Sequence, residues 1–302
     1  MPELALMIEG QNGVDWSTWK GLAETAEDLG FAGLHRSDHF TNAEGPVRDS
    51  LELWTSLTWL ADHTDRIEFG PLVTPVSFRH PVFTARMAKE VDNLAGGRLV
   101  LGVGAGWQER EHETFGFDLL DVDARFDRFE EGVAVIADLL RRDEPVSFAG
   151  DYFDLDGASL RPRPKHSLGD RLLVGGNGRN RTLPLVANRA NEWNGVFLPP
   201  NDFADRNARL DSLLDEAGRD PSSVTRSIMT QVVFGRDDVE VDRVLDGRDR
   251  DDLAEQGVIV GTASEVAAHL DRLAAAGADR VMLQWLEVDE LDRLAAMADE
   301  LL

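Results

Sequence analysis

Hydrophobic residues occur along this chain in short runs, most of which are apolar at nearly every position rather than at every second one. Eight such runs begin at Leu4, Phe31, Ile67, Arg98, Arg171, Glu192, Ser227 and Arg280. Nearly continuous apolar runs are typical of parallel strands whose two faces are both covered. The pattern therefore predicts eight buried, parallel strands.

Longer stretches with apolar residues at helical spacing separate these runs. They cover residues 16–29, 50–63, 82–94, 125–141, 179–189, 202–217, 263–276 and 288–302. Several end near a glycine, at Gly30, Gly96, Gly218 and Gly277, which is a common helix-stop signal. Eight strand–helix units predict a closed (β/α)8 TIM barrel of the α/β class. An open doubly wound sheet is the alternative, but no glycine-rich fingerprint follows the first strand.

Two segments interrupt the alternation of strands and helices. Residues 143–167 contain Tyr152, Phe153 and two prolines, and we expect an insertion with extended pieces there. Residues 235–257 are highly charged, and we expect a helical excursion or a mobile loop. No low-complexity linker or obvious internal repeat is present. We therefore expect residues 1–302 to form a single barrel domain with these two insertions.

The composition excludes several classes of protein. The chain has no cysteine, so it has no disulfide framework, thiolate zinc site or cysteine nucleophile. Its 31 basic and 56 acidic residues give a formal charge of −25, which opposes binding to nucleic acid or anionic lipid. An anionic ligand would therefore need a locally positive site. The first residues lack the cations of a signal peptide and no run is long enough to span a membrane, so we expect a cytoplasmic protein.

In a barrel of this kind the active site lies at the carboxyl ends of the strands. The second predicted strand leads into Asp38 and His39. His39 can donate or accept a proton near neutral pH, and Asp38 can orient its ring or a bound water. A helix cap with a packed imidazole is an alternative interpretation. A metal site that includes His35 is another, but no matching cluster follows any other strand, so we expect no metal.

The third and fourth predicted strands end in segments that could accept a flat ligand. Pro71 and Pro75 must end or distort the third strand, because proline cannot donate to a strand ladder. They indicate either a simple terminator or a bulge that pushes backbone toward a ligand. The glycines within 102–106 allow close approach of the main chain, and Trp107 adds a large flat face. A tight turn would explain the same glycines.

The fifth predicted strand ends in VGGNGRNRT, residues 174–182, directly before a helical stretch. Backbone amides of residues 175–178 in such a position can cradle a phosphate at the helix N-terminus. Arg179 and Arg181 add local positive charge to a very acidic protein. A plain strand-to-helix connection is the alternative.

Taken together, these segments resemble the luciferase-like monooxygenase superfamily, and most of all its branch that uses the deazaflavin coenzyme F420. The segments that carry the resemblance are RSDHF, GPLVTPVSFRHP, LAGGRLVLGVGAGWQEREHETFG, LRPRP, LLVGGNGRNRTLPLVANRANEWN and AGADRVMLQWL. They follow in a consistent order along almost the whole chain, which is more specific than any single motif. The resemblance implies a barrel that binds a flavin or deazaflavin with its tricyclic ring at the strand ends.

The resemblance also implies roles for individual residues. Asp38 and His39 match the acid and histidine beside the reactive ring edge, and the strand end at Pro71 and Leu72 matches one with a non-prolyl cis peptide under the ring. The cofactor phosphate is expected at the amides near Gly175. The expected cofactor-binding residues are Asp38, Pro71, Leu72, Val73, Thr74, Gly104, Ala105, Gly106, Trp107, Gly175, Gly176, Asn177 and Gly178.

One position departs from the family pattern. In the sugar-phosphate dehydrogenases of the branch, a glutamate that donates a proton stands where this chain has Trp107, and tryptophan has no such proton chemistry. The Gly-Trp form is more similar to uncharacterised reductases and monooxygenases of the superfamily. Glu109, Glu111 or His112 could supply a carboxylate or imidazole nearby, or could face solvent or a partner chain.

The favoured function is that of an F420-dependent oxidoreductase that transfers a hydride between the deazaflavin and a small organic substrate. His39 would exchange the proton, oriented by Asp38, while Trp107 and Phe40 shape an apolar substrate pocket. The first alternative is an FMN-dependent monooxygenase supplied with reduced flavin by a partner reductase. A cofactor-binding protein without catalysis and a metal-dependent barrel hydrolase are further alternatives.

We expect no nucleic-acid or membrane partner for the chain. Similar proteins are frequently homodimers, and the tryptophans at positions 54 and 59 could contribute to an apolar interface or lie in the core.

Overall fold

The computed structural model describes all 302 residues and arranges the predicted strands as a parallel barrel surrounded by helices. The strands are β1 (Glu3–Ile8), β2 (Gly33–Arg36), β3 (Glu68–Pro71), β4 (Thr74–Pro75), β5 (Leu101–Gly104), β6 (Val146–Ala149), β7 (Asp154–Ala158), β8 (Leu172–Gly175), β9 (Glu192–Val196), β10 (Thr225–Phe234), β11 (Ile259–Gly261) and β12 (Arg280–Gln284).

The helices follow the strands in alternation. They are α1 (Trp16–Asp28), α2 (Leu53–His63), α3 (Pro81–Leu94), α4 (Glu109–Phe115), α5 (Val122–Arg141), α6 (Thr182–Arg189), α7 (Pro200–Glu216), α8 (Asp238–Leu245), α9 (Arg250–Glu255), α10 (Ala263–Ala275) and α11 (Leu291–Leu301). None of them is both long enough and apolar enough to cross a bilayer.

The barrel strands are hydrogen-bonded in the order β3, β2, β1, β12, β10, β9, β8, β5, β4. Every neighbouring pair in this order is parallel. The ring closes where Phe69 of β3 pairs with Leu99, and the Val100 amide donates to the Phe69 carbonyl over 2.8 Å. The prediction of a (β/α)8 TIM barrel is therefore confirmed.

Apolar side chains pack on both sides of the barrel wall. Leu4, Leu6 and Ile8 of β1 belong to a cluster of 67 buried residues shared with the helices, whereas Ala5 and Met7 point to the opposite face. This alternation follows from the two-residue period of a strand. The inner cluster consists of Ala5, Met7, Leu72, Val100, Leu173, Met229 and Met282. The barrel interior is thus filled with side chains, which leaves the strand ends as the place for a ligand.

Short polar side chains begin several helices. Asp15 caps α1 by accepting from the Thr18 amide over 2.8 Å, and Asp121 caps α5 by accepting from the Ala124 amide over 3.0 Å. Each cap satisfies a backbone donor that has no partner within the helix. The cap at Asp121 also explains why α5 begins three residues earlier than the helical pattern predicts.

The two interrupting segments have their own secondary structure. Residues 143–167 contain β6 and β7, which pair as an antiparallel two-stranded sheet. Residues 235–257 contain α8 and α9. The three-residue strand β11 then pairs in parallel with the end of β10, outside the barrel order. A strand of this length is too short to produce a hydrophobic period, so the sequence pattern did not indicate it.

Candidate active site

A cavity of about 510 Å³ opens at the carboxyl ends of the barrel strands, and we call it the inner cavity. Its lining includes the expected residues His39, Leu72, Val73, Gly104, Ala105, Gly106, Trp107, Gly175 and Gly176. Other lining residues are Glu9, Glu111, Val122, Arg125, Phe126, Val196, Phe197, Met229 and Gln284. The expected residues Asp38, Pro71, Thr74, Asn177 and Gly178 are not among those that line it.

The imidazole of His39 is bound to Glu111, which lies on the first turns of α4. His39 Nδ1 donates to Glu111 Oε1 over 2.8 Å, and the Phe40 amide donates to Glu111 Oε2 over 3.0 Å. Glu111 is therefore a buried carboxylate with both oxygens engaged, and its side chain is only 1% exposed. Among the three nearby polar residues suggested by the sequence, the structure brings Glu111 to His39.

The surroundings of His39 favour its protonated form. Burial by itself lowers the pKa of the imidazole, but the hydrogen bond and negative charge of Glu111 outweigh it. The carboxylates of Glu9 and Asp38 add to the same effect. The net result is a pKa of His39 above its ordinary value, so the ring can hold and deliver a proton near neutral pH.

The expectation that Asp38 orients His39 is not met. Asp38 Oδ2 accepts from Thr74 Oγ1 over 2.7 Å and is also bound by the guanidinium of Arg79. Arg79 Nη2 reaches on to Glu52 Oε1 over 3.0 Å. Asp38 and Thr74 thus join the ends of β2 and β4 behind the inner cavity, and neither lines it. The orienting carboxylate comes from a distant segment of the chain.

Sequence reasoning missed Glu9, a carboxylate at the end of β1 that lines the inner cavity. Its two oxygens accept from Gln284 Nε2 over 2.6 Å and from Gln11 Nε2 over 2.8 Å. Gln11 is fixed in turn by the hydroxyl of Ser37, over 2.8 Å. The signal available in the sequence was a glutamate directly after an apolar strand, the position at which barrel enzymes carry functional groups.

A non-prolyl cis peptide joins Leu72 to Val73, at the strand end where the resemblance implies one. The side chain of Val73 then packs against the neighbouring strand ends. A Cβ at Gly104 would lie 2.4 Å from Val73 Cγ2, and one at Gly175 would lie 3.0 Å from Val73 Cγ1. These glycines are therefore needed for the packing of Val73 within the barrel mouth, which the sequence could not distinguish from close approach to a ligand.

In the loop of residues 174–182, the amides without a protein acceptor lie further along the chain than the expected residues 175–178. The Gly176 amide donates to the Asn194 carbonyl over 2.9 Å, and the Asn177 side chain is bonded to the backbone of Val196. The amides of residues 178–182, which lead into α6, donate to no acceptor in the protein. A run of free amides at a helix N-terminus is suited to bind an anion. The candidate anion-binding donors are therefore the amides of residues 178–182.

The arginines of this loop do not leave free positive charge. Arg179 is paired with Asp205. Arg181 donates to Asp127 and to Glu130, and each of these two bonds is 2.6 Å long. The arginine that lines the inner cavity is Arg125 on α5, which has no carboxylate partner and which sequence reasoning missed.

Arg125 lines the inner cavity as a free cation. Its Nη1 donates to the Gly106 carbonyl over 3.0 Å, while its Nε is buried without a partner. An unpartnered buried donor in a cavity is a place where an anionic ligand would be stabilised.

An apolar wall borders the inner cavity on the side of Trp107. The indole is 62% exposed and stands edge-on to the His39 ring, with 5.6 Å between the ring centroids. Val122 is also largely exposed, and Phe126 lies on the following turn of α5. Phe40, expected to shape the same pocket, instead packs against Phe78, Phe115 and Phe117. The wall therefore comes from Trp107 and the start of α5.

His35, considered as a metal ligand, lies fully buried in the barrel and lines none of the inner cavity. The structure contains no group of three or more histidine, aspartate or glutamate side chains placed to hold a metal ion.

Comparison with known proteins places this geometry in a family. The model of the luciferase-like monooxygenase family matches residues 6–249. A 4-hydroxyprotoasukamycin monooxygenase of Streptomyces nodosus subsp. asukaensis is 35% identical over 160 residues, which are 52% of this chain and 42% of the relative. A phthiodiolone/phenolphthiodiolone dimycocerosates ketoreductase of Mycobacterium kansasii is 33% identical over 204 residues, which are 66% and 54% of the two chains.

A third relative is named for the deazaflavin. The F420-dependent glucose-6-phosphate dehydrogenase of Amycolatopsis mediterranei is 30% identical over 179 residues, which are 58% of this chain and 51% of the relative. The chain thus spans about half the length of the curated relatives it matches.

Solved structures show the same fold. An F420-dependent secondary alcohol dehydrogenase in complex with an F420-acetone adduct has a TM-score of 0.85 at 21% identity and covers 100% of this chain and 99% of its own. The oxygenating constituent of 3,6-diketocamphane monooxygenase from Pseudomonas putida, in complex with FMN, has a TM-score of 0.76 at 16% identity, with coverage of 99% and 97%. Because the family model matches most of the chain, this protein belongs to the luciferase-like monooxygenase family, whose relatives found here are F420-dependent oxidoreductases and monooxygenases.

Proposed function

We propose that this protein is an oxidoreductase that transfers a hydride between coenzyme F420 and a small organic carbonyl or alcohol. The observation that carries the proposal is the His39–Glu111 pair at the mouth of a largely apolar cavity of about 510 Å³. A largely apolar pocket with a proton-exchanging imidazole at its mouth suits the reduction of a carbonyl, because the oxygen gains a proton as the carbon gains a hydride. The F420-dependent and ketoreductase relatives agree with this chemistry.

The residues present fit a flat ring with a phosphate-bearing side chain. The free amides of residues 178–182 and the guanidinium of Arg125 would hold the anionic side chain. Leu72 and Val73 would lie under the ring, and Trp107 would border the substrate. The bound deazaflavin supplies two-electron hydride chemistry.

The role of His39 follows from its contacts. With Nδ1 donating to Glu111, the other ring nitrogen, Nε2, is the one available to a substrate oxygen. Glu111 holds the ring in one orientation and stabilises its cationic form. In the reducing direction His39 donates its Nε2 proton to the substrate oxygen, and in the oxidising direction the neutral ring accepts it.

An FMN-dependent monooxygenase is the second candidate, and one feature of the site favours it. Arg179 and Arg181 are already neutralised by three carboxylates, so the free donors match a single phosphate better than a longer anionic tail. This function would require reduced flavin from a partner reductase. That partner and a homodimer both stay predictions.

The first test is a set of binding titrations with F420, FMN and nicotinamides, measured by fluorescence. We expect F420 to bind with a dissociation constant of about 1 μM, and reduced F420 to lose its hydride to simple ketones or aldehydes in a stopped-flow mixture. Tight binding of FMN with oxygen consumption would instead support the monooxygenase. Binding without hydride transfer to any acceptor would point to a storage protein, and failure to bind either ring would refute all three functions.

A further inference from the structure

His39 also borders a second cavity, which Trp107 does not line. This outer cavity has a volume of about 310 Å³, and its lining includes Asp38, His39, Asp49, Glu52, Arg79 and Phe115. The same imidazole also lines the inner cavity. It therefore forms part of the partition between the two.

The outer cavity connects His39 to solvent through charged groups. Asp49 and Glu52 lie at its exposed end, and the Glu52 side chain is 49% exposed. Arg79 links Glu52 to Asp38, whose main chain precedes His39 directly. The Ser50 hydroxyl donates to the His39 carbonyl over 2.8 Å and holds this edge in place. Polar groups and room for water thus extend from the imidazole to the surface.

The inner side offers no comparable route once it is filled. The charged groups that line the inner cavity with His39 are Glu111 on α4, Glu9 after β1 and Arg125 on α5. Glu111 is 1% exposed with both oxygens bonded, so it cannot pass a proton to solvent by itself. A ring and a substrate in the inner cavity would exclude water from its mouth.

We propose that the outer cavity is the path by which His39 exchanges its proton with solvent while the inner cavity is occupied. The proposal rests on the proton role of His39 in the proposed function. In each reduction His39 gives one proton to the substrate oxygen, and one proton from water or a buffer acid returns to the neutral ring through the outer cavity. In oxidation the proton taken from the substrate hydroxyl leaves by the same path.

The experiment fills the outer cavity with bulky apolar side chains, using Asp49→Phe and, independently, Phe115→Trp. The control Asp62→Phe places the same aromatic ring on the surface of α2, away from both cavities. The first readout is the solvent-exchange rate of the His39 ring protons, measured by NMR saturation transfer with and without bound cofactor. We expect exchange at least about tenfold slower in both filled variants of the cofactor-bound protein, and unchanged in the control.

The second readout is turnover. In the filled variants the first hydride transfer should keep its rate, whereas steady-state turnover should fall in dilute bulky buffer and recover with concentrated imidazole. If both filled variants exchange ring protons as fast as the native protein, the proposal is overturned, even if the enzyme is active. If the native protein transfers no hydride, the proposed function fails, but the exchange rates still decide whether the outer cavity conducts protons.

Discussion

At the residue scale the chemistry depends on which carboxylate holds which ring. Asp38 is the neighbour of His39 in sequence, yet it is bound to Thr74 and Arg79, and Glu111 takes its expected place. Adjacent residues at a strand end point to different sides, so sequence proximity is a poor guide to side-chain contact. The carboxylate bonded to His39 therefore lies on α4, four residues after Trp107.

Replacing Glu111 by glutamine should lower the pKa of His39, since the anionic acceptor that raises it is removed. The protonated imidazole, which donates the proton, would then be lost at a lower pH. The decline of the carbonyl-reduction rate at high pH should therefore begin at a lower pH, and turnover should fall about tenfold to a hundredfold. NMR titration of the ring and the pH profile of kcat/KM test this. Glu109→Gln, at an exposed position of the same helix, is the matched control. An unmoved titration in Glu111→Gln would contradict the assignment.

His35, unlike His39, has a lowered pKa, and this makes the stability of the fold depend on pH. It is fully buried, both ring nitrogens lack partners, and burial lowers its pKa to about 3. The pKa of His35 in the folded protein lies below the ordinary histidine value of 6.5, so the stability associated with the neutral ring is present above pH 6.5 and is lost as pH falls toward 3. In His35→Leu the free energy of unfolding should decline less steeply over this range, by up to about 1.4 kcal/mol per pH unit. Urea titrations of both proteins at several pH values should show this difference, and parallel slopes would argue against it.

At the scale of elements, α5 and the loop before α6 are joined by the ion pairs of Arg181 with Asp127 and Glu130, and the proposed function assigns both to the binding of an anion. Arg125 lies one turn into α5, while the loop presents its free amides from the start of α6. The two belong to different strand–helix units and come together only because β5 and β8 are neighbours in the barrel. The proposed anion site therefore depends on strand order rather than on one motif.

The change Arg125→Gln should weaken cofactor binding about tenfold to a hundredfold, because a charge-assisted hydrogen bond contributes about 1.5–3 kcal/mol. The dependence of affinity on salt should also become shallower. Fluorescence titrations at low and high ionic strength measure both effects. Arg142→Gln, at the exposed far end of the same helix, should leave affinity unchanged. Equal affinities of Arg125→Gln and the native protein would remove Arg125 from the site.

The packing of β5 against the Val73 segment should limit what position 104 can carry. In Gly104→Ala the new Cβ would lie 2.4 Å from Val73 Cγ2, and we expect destabilisation of about 1–3 kcal/mol from overpacking. Adding Val73→Ala should recover part of the loss, which a double-mutant cycle of unfolding free energies would measure. Gly21→Ala on α1, where the added Cβ makes an ordinary contact at 3.6 Å, should be neutral or stabilising by up to about 1 kcal/mol. Strict additivity of the two barrel changes would contradict the packing argument.

At the scale of the whole molecule, the barrel separates support from chemistry. The buried clusters fill its interior and its wall, whereas the inner cavity, His39 and the free amides all lie at the carboxyl ends of the strands. This arrangement follows from the parallel direction of the strands, because all of their carboxyl ends then lie at the same face of the barrel. Changes to the polar side chains that line the inner cavity at this face should therefore alter function more than stability.

The formal charge of −25 acts on the molecule as a whole. Repulsion among the excess carboxylates destabilises the compact state, and salt screens it. We expect Tm to rise with sodium chloride up to the range in which the Debye length falls below the spacing of surface charges. A thermal melt series in sodium chloride checks this. A Tm that is constant or falls over the same range would show that local ion pairs, rather than net repulsion, dominate.

The sequence by itself predicted most of the strands and helices, because the period of apolar residues and the helix caps are local properties of the chain, and the eightfold alternation of these elements predicted the fold class. It also indicated His39, Trp107 and the loop before α6, since each follows directly after a predicted strand. Only the tertiary structure decided that Glu111, rather than Asp38, holds His39, that Arg125 is the free cation, and that Gly104 accommodates Val73. These contacts join segments tens of residues apart, and the closing of the barrel, which no local pattern encodes, determines which of them meet.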